Sequence, residues 1–147
     1  MSAATEPIST HKTYLMYRTT TGGTYTKLCD IKSFPDLGAE PVRIDVTTLS
    51  DGERKYVPGV QDMRGYSFDA NYIPGDYSKI QGLSGHQYDY AIWLGASTSN
   101  GEDIPDGSNG KWSWKGDIYV YKDGGNVNAP QDMTITTFPS TRIAFTV

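Results

Sequence analysis

Alternation of apolar and polar residues with a period of two runs through most of this chain, and a strand is the only regular element that such a period fits. Tyr66, Phe68, Ala70 and Tyr72 alternate with Ser67, Asp69 and Asn71, the pattern of a pleated strand with one face on a core and one in water. Val42, Ile44 and Val46 alternate with Arg43, Asp45 and Thr47 in the same way. Trp112, Trp114, Gly116, Ile118 and Val120 alternate with Lys111, Ser113, Lys115, Asp117 and Tyr119, and Ile143, Phe145 and Val147 repeat the pattern at the end. Residues 13–18, 25–32, 88–94 and 132–138 are further strand candidates, with apolar side chains on both faces that two-sided burial would explain.

Turn residues punctuate these runs. Thr21-Gly22-Gly23, Asp51-Gly52, Asp106-Gly107, Asn109-Gly110 and Asp123-Gly124-Gly125 supply positions that tolerate positive φ, so the strands read as antiparallel hairpins. One segment breaks the period: after Pro74-Gly75, Asp76 is placed to cap a short helix over 76–83 with Tyr77, Ile80 and Leu83 on one stripe, ended by Gly82 and Gly85. So short a helix must dock on the strands. The expectation is an all-β chain with one flanking helix, an antiparallel sandwich or barrel of about seven or eight strands. With 147 residues it fits one domain, 1–147, able to bury roughly 68–70% of its unfolded surface.

Two stretches are long and polar for turns. Residues 34–63 carry Pro35, Pro41 and Pro58 and many charges around a strand-like middle, and residues 96–111 are mostly Gly, Ser, Asn and Asp. Loops beyond ~12–15 residues inside compact domains are functional or disordered. The first has the apolar content to order against something, whereas disorder is the plain expectation for the second.

Chemistry is sparse. His11 and His86 are the two imidazoles and neither has a nucleophile beside it in sequence. Gly82-Leu83-Ser84-Gly85 lacks the glycine two residues after the serine, and the preceding strand, that a nucleophile elbow needs. One cysteine and two distant histidines cannot build a zinc site, and the acidic loop around Asp103 and Asp106 has Pro105 and Lys111 where a calcium loop needs ligands or glycine. No catalytic residue, metal site or cofactor is expected. A net charge of −4 with no cluster of Lys or Arg disfavours nucleic-acid binding. Cys29 reads as a small buried hydrophobe. The polar segment Met1 to His11 lacks the apolar core of a signal peptide, and no run is long and apolar enough to span a membrane. Trp112 and Trp114 share a face and could form a sugar-stacking platform, but the same face carries Ile118 and Val120, which favours core or subunit interface.

The order of short motifs resembles the major tail tube proteins of long, non-contractile-tailed (siphovirus-type) bacteriophages. Lys27-Leu28-Cys29-Asp30-Ile31-Lys32-Ser33-Phe34-Pro35-Asp36-Leu37-Gly38 is similar to that family's strand entering a long loop, continued by Glu40-Pro41-Val42-Arg43-Ile44-Asp45-Val46-Thr47-Thr48-Leu49-Ser50-Asp51. Tyr56-Val57-Pro58-Gly59-Val60 and Ser67-Phe68-Asp69-Ala70-Asn71-Tyr72 resemble its glycine-containing return and next strand, and Trp114-Lys115-Gly116-Asp117-Ile118 its late strand with a glycine after bulky residues. The resemblance implies a non-enzymatic virion protein, assembled in the host cytoplasm into stacked six-membered rings that form the tail tube. One sheet would line the lumen, a flexible N-terminal arm (1–12) would help join rings, and the 34–63 loop would reach a neighbouring subunit. Related folds build contractile-tail inner tubes and the ring protein of type VI secretion. Implied partners are further copies of the chain and the tape-measure, tail-tip and tail-terminator proteins, with DNA passing through an acidic lumen without specific binding. Within the loop, Phe34, Pro35, Leu37 and Leu49 are the expected apolar anchors and Asp51, Glu53, Arg54 and Lys55 the rim charges. The alternative reading is a carbohydrate-binding β-sandwich module, which would need Trp112, Trp114 or Tyr119 exposed.

Overall fold

The computed structural model describes residues 11–38, 40–60 and 65–147. The chain forms β1 (Thr13–Arg18), β2 (Thr26–Cys29), β3 (Arg43–Asp45), β4 (Tyr56–Pro58), β5 (Tyr66–Asn71), α1 (Pro74–Leu83), β6 (Tyr88–Leu94), β7 (Ala96–Ser99), β8 (Glu102–Pro105), β9 (Lys111–Lys122), β10 (Asp132–Pro139) and β11 (Ala144–Thr146). The fold is antiparallel β with one short helix, as the alternation predicts. Its main sheet runs β2-β1-β6-β9-β10-β5, with β11 also paired to β9.

The length of β9 organises that sheet. Its first half pairs with β6 on one edge and β11 on the other, and its second half pairs with β10 from Gly116↔Pro139 to Lys122↔Met133. The two outer strands curl together: just after β2, the Lys32 N–H donates to the Asp69 carbonyl of β5 at 2.6 Å, and Ser33 bridges Asp69. Joining the edges gives a barrel and removes part of the unpaired edge that an open sheet would leave. Leu15, Leu28, Phe68, Tyr90, Ile92, Trp114, Ile118, Met133 and Ile135 fill the interior. Trp114 stacks on Phe68 with ring centroids 6.2 Å apart and tilts against Tyr66 at 5.4 Å. Cys29 lies in this core, where burial, with a smaller push from the Asp76 charge, raises its thiol to about 12.

The two-sided strands behave as their sequences suggest. On β1 and β6, Leu15 and Ile92 face the core, while Met16 and Ala91 are paired on the opposite face and are also buried. The helix packs on β9 and β2 through Ile80, with Tyr77 and Leu83 beside it. It begins earlier than expected. Pro74 occupies the first turn and Ile73 is the cap, without a side-chain bond, so Asp76 sits inside the first turn and pairs with Lys79 at 3.9 Å. Proline suits that position because its fixed φ is helical and its missing N–H would have had no partner. Gly82 lies within the helix rather than ending it.

Three other expectations change. Residues 96–111 are ordered: β7 and β8 form a hairpin from Ala96↔Pro105 to Ser99↔Glu102. Its two-residue turn, Asn100-Gly101, has positive φ at both positions, which the right-handed strand twist favours. The Val42–Ile44–Val46 alternation does not reach the core; β3 pairs only with β4, and every residue of both strands is exposed. The terminal alternation does form a strand, but β11 lies on the rim, with Phe145 against Trp112 (4.9 Å) and still half exposed.

Candidate assembly surface

Residues 34–60 split into two parts with different surroundings. In the first, Phe34 and Leu37 pack against the margin of the core. With Pro35, Asp36, Leu94 and Trp112 they line a groove of about 370 Å³ where β6 ends and β9 begins. These anchors are therefore the wall of a groove and not projecting knobs. Trp112 belongs to the same wall, and Trp114 is only 3% exposed, so the paired-indole sugar platform does not exist. Tyr119, the remaining aromatic that reading would use, is 46% exposed, but its hydroxyl donates to Asp117 (2.9 Å) and its ring meets Phe138 edge-on at 5.7 Å.

The second part is the β3–β4 hairpin, extended by Val42 N–H to the Val60 carbonyl (3.2 Å) and Val46 N–H to the Lys55 carbonyl (3.0 Å). Cross-strand neighbours share a face, so the register Ile44↔Val57 sets those two on one side with Val42 and Val46. Arg43, Asp45, Tyr56 and Pro58 occupy the other, where the Arg43 guanidinium lies 5.8 Å from the Tyr56 ring centre. The apolar side is exposed throughout: Val42 55%, Ile44 48%, Val46 43% and Val57 41%. Four β-branched side chains on one face of a two-stranded ribbon have the composition of a buried sheet face, yet none of the described residues covers them.

The tip of this hairpin is internally bonded. Asp51 accepts from the Thr48 N–H (2.8 Å), the Thr48 hydroxyl (3.1 Å) and the Lys55 ammonium (2.8 Å). Its own N–H donates to the Thr48 carbonyl, and the Lys55 N–H donates to the Thr47 hydroxyl at 2.9 Å. The bond from Lys55, with those from Thr48, holds the Asp51 carboxyl below the ordinary carboxylate range despite partial desolvation. Asp45 accepts from the Thr47 N–H at 2.9 Å and faces Arg54 at 3.7 Å. Of the expected rim charges, Asp51 and Lys55 thus build the turn, while Glu53 and Arg54 stay exposed on it. At the apex Leu49 is 109% exposed, more open than in a reference extended chain.

No cluster of three or more metal-ligating side chains occurs among the described residues, and none of their helices is long and apolar enough to cross a membrane. The expected arm, residues 1–12, lies outside the described residues except for His11 and Lys12. So do Ala39 and Gln61 to Met63 of the long loop.

No protein-family description matches this chain, and no curated protein matches it in sequence. Solved structures do. A chain of the PVC extracellular contractile injection system, sheath/tube terminator in the extended state, superposes with a TM-score of 0.66 at 15% identity, covering 99% of this chain and 100% of that one. The sheath-tube complex of the same system gives 0.65 at 14%, covering 97% and 93%. The tail of an empty GTA particle, refined with C6 symmetry, gives 0.54 at 15%, covering 91% and 96%. The fold of this chain is that of components of tail-like assemblies.

Proposed function

We propose that the chain is a structural subunit of a phage-tail-type tube: copies join side by side into rings, six to a ring, and rings stack into a conduit for DNA. The observation that carries this reading is the β3–β4 hairpin, which holds an apolar face clear of its own barrel. A two-stranded ribbon is at best marginal alone in water, so such a face is stabilised when something covers it. Full-length likeness to chains from a sheath-tube complex and a six-fold tail supports another copy of the chain as that cover. The machine is of the tube-bearing kind, whether long non-contractile tail or contractile injector, with tape-measure, tip and terminator proteins at its ends. An acidic chain without a basic patch suits a conduit from which DNA must leave.

Negative-stain electron microscopy of the purified protein at high concentration, paired with its mass in solution, tests this. Rings or hollow tubes are expected, and deletion of residues 51–55 should leave a folded monomer by circular dichroism. A chain that remains monomeric at every concentration, or tubes that survive the deletion unchanged, would remove the basis of the reading.

A further inference from the structure

Arg18, Lys115 and Arg142 are far apart in sequence and line one groove on the outer face of the main sheet. The registers set Arg18 of β1 opposite Asp89 of β6, and Asp89 opposite Lys115 of β9. β10 ends at Pro139↔Gly116 and β11 begins at Ala144↔Ser113, so residues 140–143 turn past Lys115 and bring Arg142 to the same row. We infer that this groove binds a side-chain carboxylate carried by an acidic peptide segment of a partner protein.

The groove is about 290 Å³ and its two walls differ. On one side Arg18 is already bonded: its Nε donates to Asp89 at 2.7 Å, its Nη1 donates to the Gly23 carbonyl at 3.3 Å, and its guanidinium lies 4.6 Å from the Tyr25 ring centre. Tyr25 tilts against Trp93 at 5.6 Å, so this wall is fixed before anything binds. On the other side Lys115 and Arg142 are exposed, and neither has an acidic partner among the described residues. Their proximity is held by the backbone. The Ser140 N–H donates to the Lys115 carbonyl at 2.7 Å, and the Lys115 N–H donates to the Thr141 hydroxyl at 3.0 Å. Like charges set side by side on neighbouring strands repel, and a carboxylate between them turns that repulsion into two attractions. The Thr141 hydroxyl, which accepts from Lys115, keeps its own O–H for the same carboxylate.

The chemistry of the walls selects the ligand. Three cations stand against the one carboxylate of Asp89, an excess that one or two acids neutralise. A nucleic-acid backbone is held by a longer row of cations than this, and Asp89 would repel it. A small-molecule site encloses most of its ligand, whereas Thr21, Lys115, Thr141, Arg142 and Ala144 leave this groove open to solvent. A side chain presented on another protein's surface needs no such enclosure. The groove lies apart from the 34–60 segment, and the inference does not depend on the chain forming tubes.

The probe is an acetylated, amidated tetraglutamate peptide, titrated into isotopically labelled protein below its assembly concentration and followed by NMR. The Lys115 amide and the Arg142 Nε–Hε resonance should shift together to saturation, and binding should weaken as salt is raised. Arg142→Ala and Lys115→Ala should each weaken it roughly two- to fivefold, the range of an exposed ion pair. Both side chains are exposed and Lys115→Ala keeps the backbone bonds, so the fold persists. Lys122→Ala, which removes the ammonium bonded to the Asp123 carbonyl at the far end of β9, should bind as the parent does. The inference is overturned by equal binding of tetraglutamine, by sodium acetate matching the peptide at equal carboxylate concentration, or by duplex DNA shifting these resonances where the peptide does not. Parent affinity in the combined Lys115→Ala and Arg142→Ala variant overturns it as well. None of these results touches the tube reading, which assembly alone tests.

Discussion

Gly116 marks the point where β9 passes from its β6 and β11 neighbours to β10. A Cβ there would lie 2.2 Å from the Phe138 carbonyl oxygen and 2.9 Å from the Pro139 Cα, and both are backbone atoms that cannot swing aside. Glycine is required by this close approach and not by a special φ. Gly116→Ala should lower stability by about 1–3 kcal/mol through overpacking, read as an earlier urea midpoint with an unchanged slope. An unchanged midpoint would mean that the end of β10 yields at no cost. Trp114 and Ile118, either side of Gly116 on the inward face, are buried as the alternation predicts, so at this scale the residue types already carry most of the information.

The β3–β4 hairpin is held at its tip by side-chain bonds to one carboxylate, which gives the element a pH dependence of definite sign. The pKa of Asp51 is lowered in the folded chain, chiefly by the bond from Lys55 and then those from Thr48. Its contribution to tip order is therefore complete above the ordinary carboxylate range and is lost as pH falls through the depressed value. An NMR titration should show the Thr48 amide, which donates to Asp51 at 2.8 Å, moving with a midpoint below that of a free aspartate. A midpoint at or above the free value would show that the bonds do not persist in solution. Asp51→Asn should abolish the titration.

Among the described residues, two bonds join the edge strands that close the barrel. Between the β2 end and β5 they are the Lys32 N–H to the Asp69 carbonyl and the Ser33 hydroxyl to the Asp69 carboxylate at 2.9 Å. Nearby, the Lys32 ammonium reaches Asp132 of β10 at 2.9 Å. The β1–β6 and β6–β9 pairings are longer, six residue pairs in each register. Local opening should begin at the seam, because stability follows the density of buried contacts and protected backbone bonds. Asp69→Ala removes the Ser33 bond and keeps the backbone one, so hydrogen exchange at Lys32 should accelerate while the central amides of β6 and β9 keep their protection. Equal acceleration at all of them would mean that the barrel opens as one unit.

Much of this was readable in the residues. Strict alternation located β5 and β9, apolar side chains on both faces marked β1 and β6 as covered on two sides, and the Tyr77–Ile80–Leu83 stripe found the helix. Asn100-Gly101 was an equally direct signal for the β7–β8 hairpin, masked by the polar composition around it. What could not be read was the destination of each apolar face. Val42, Ile44 and Val46 alternate as cleanly as Tyr66, Phe68 and Ala70, yet only the second set is buried. A period of two fixes that a strand has two unlike faces; it does not say what either face meets. That depends on which strands pair across long sequence separations, and here the pairing leaves β3 with β4 alone, outside the barrel. The same holds for Phe34 and Leu37, which the sequence offers as anchors and the packed chain turns into the wall of a groove.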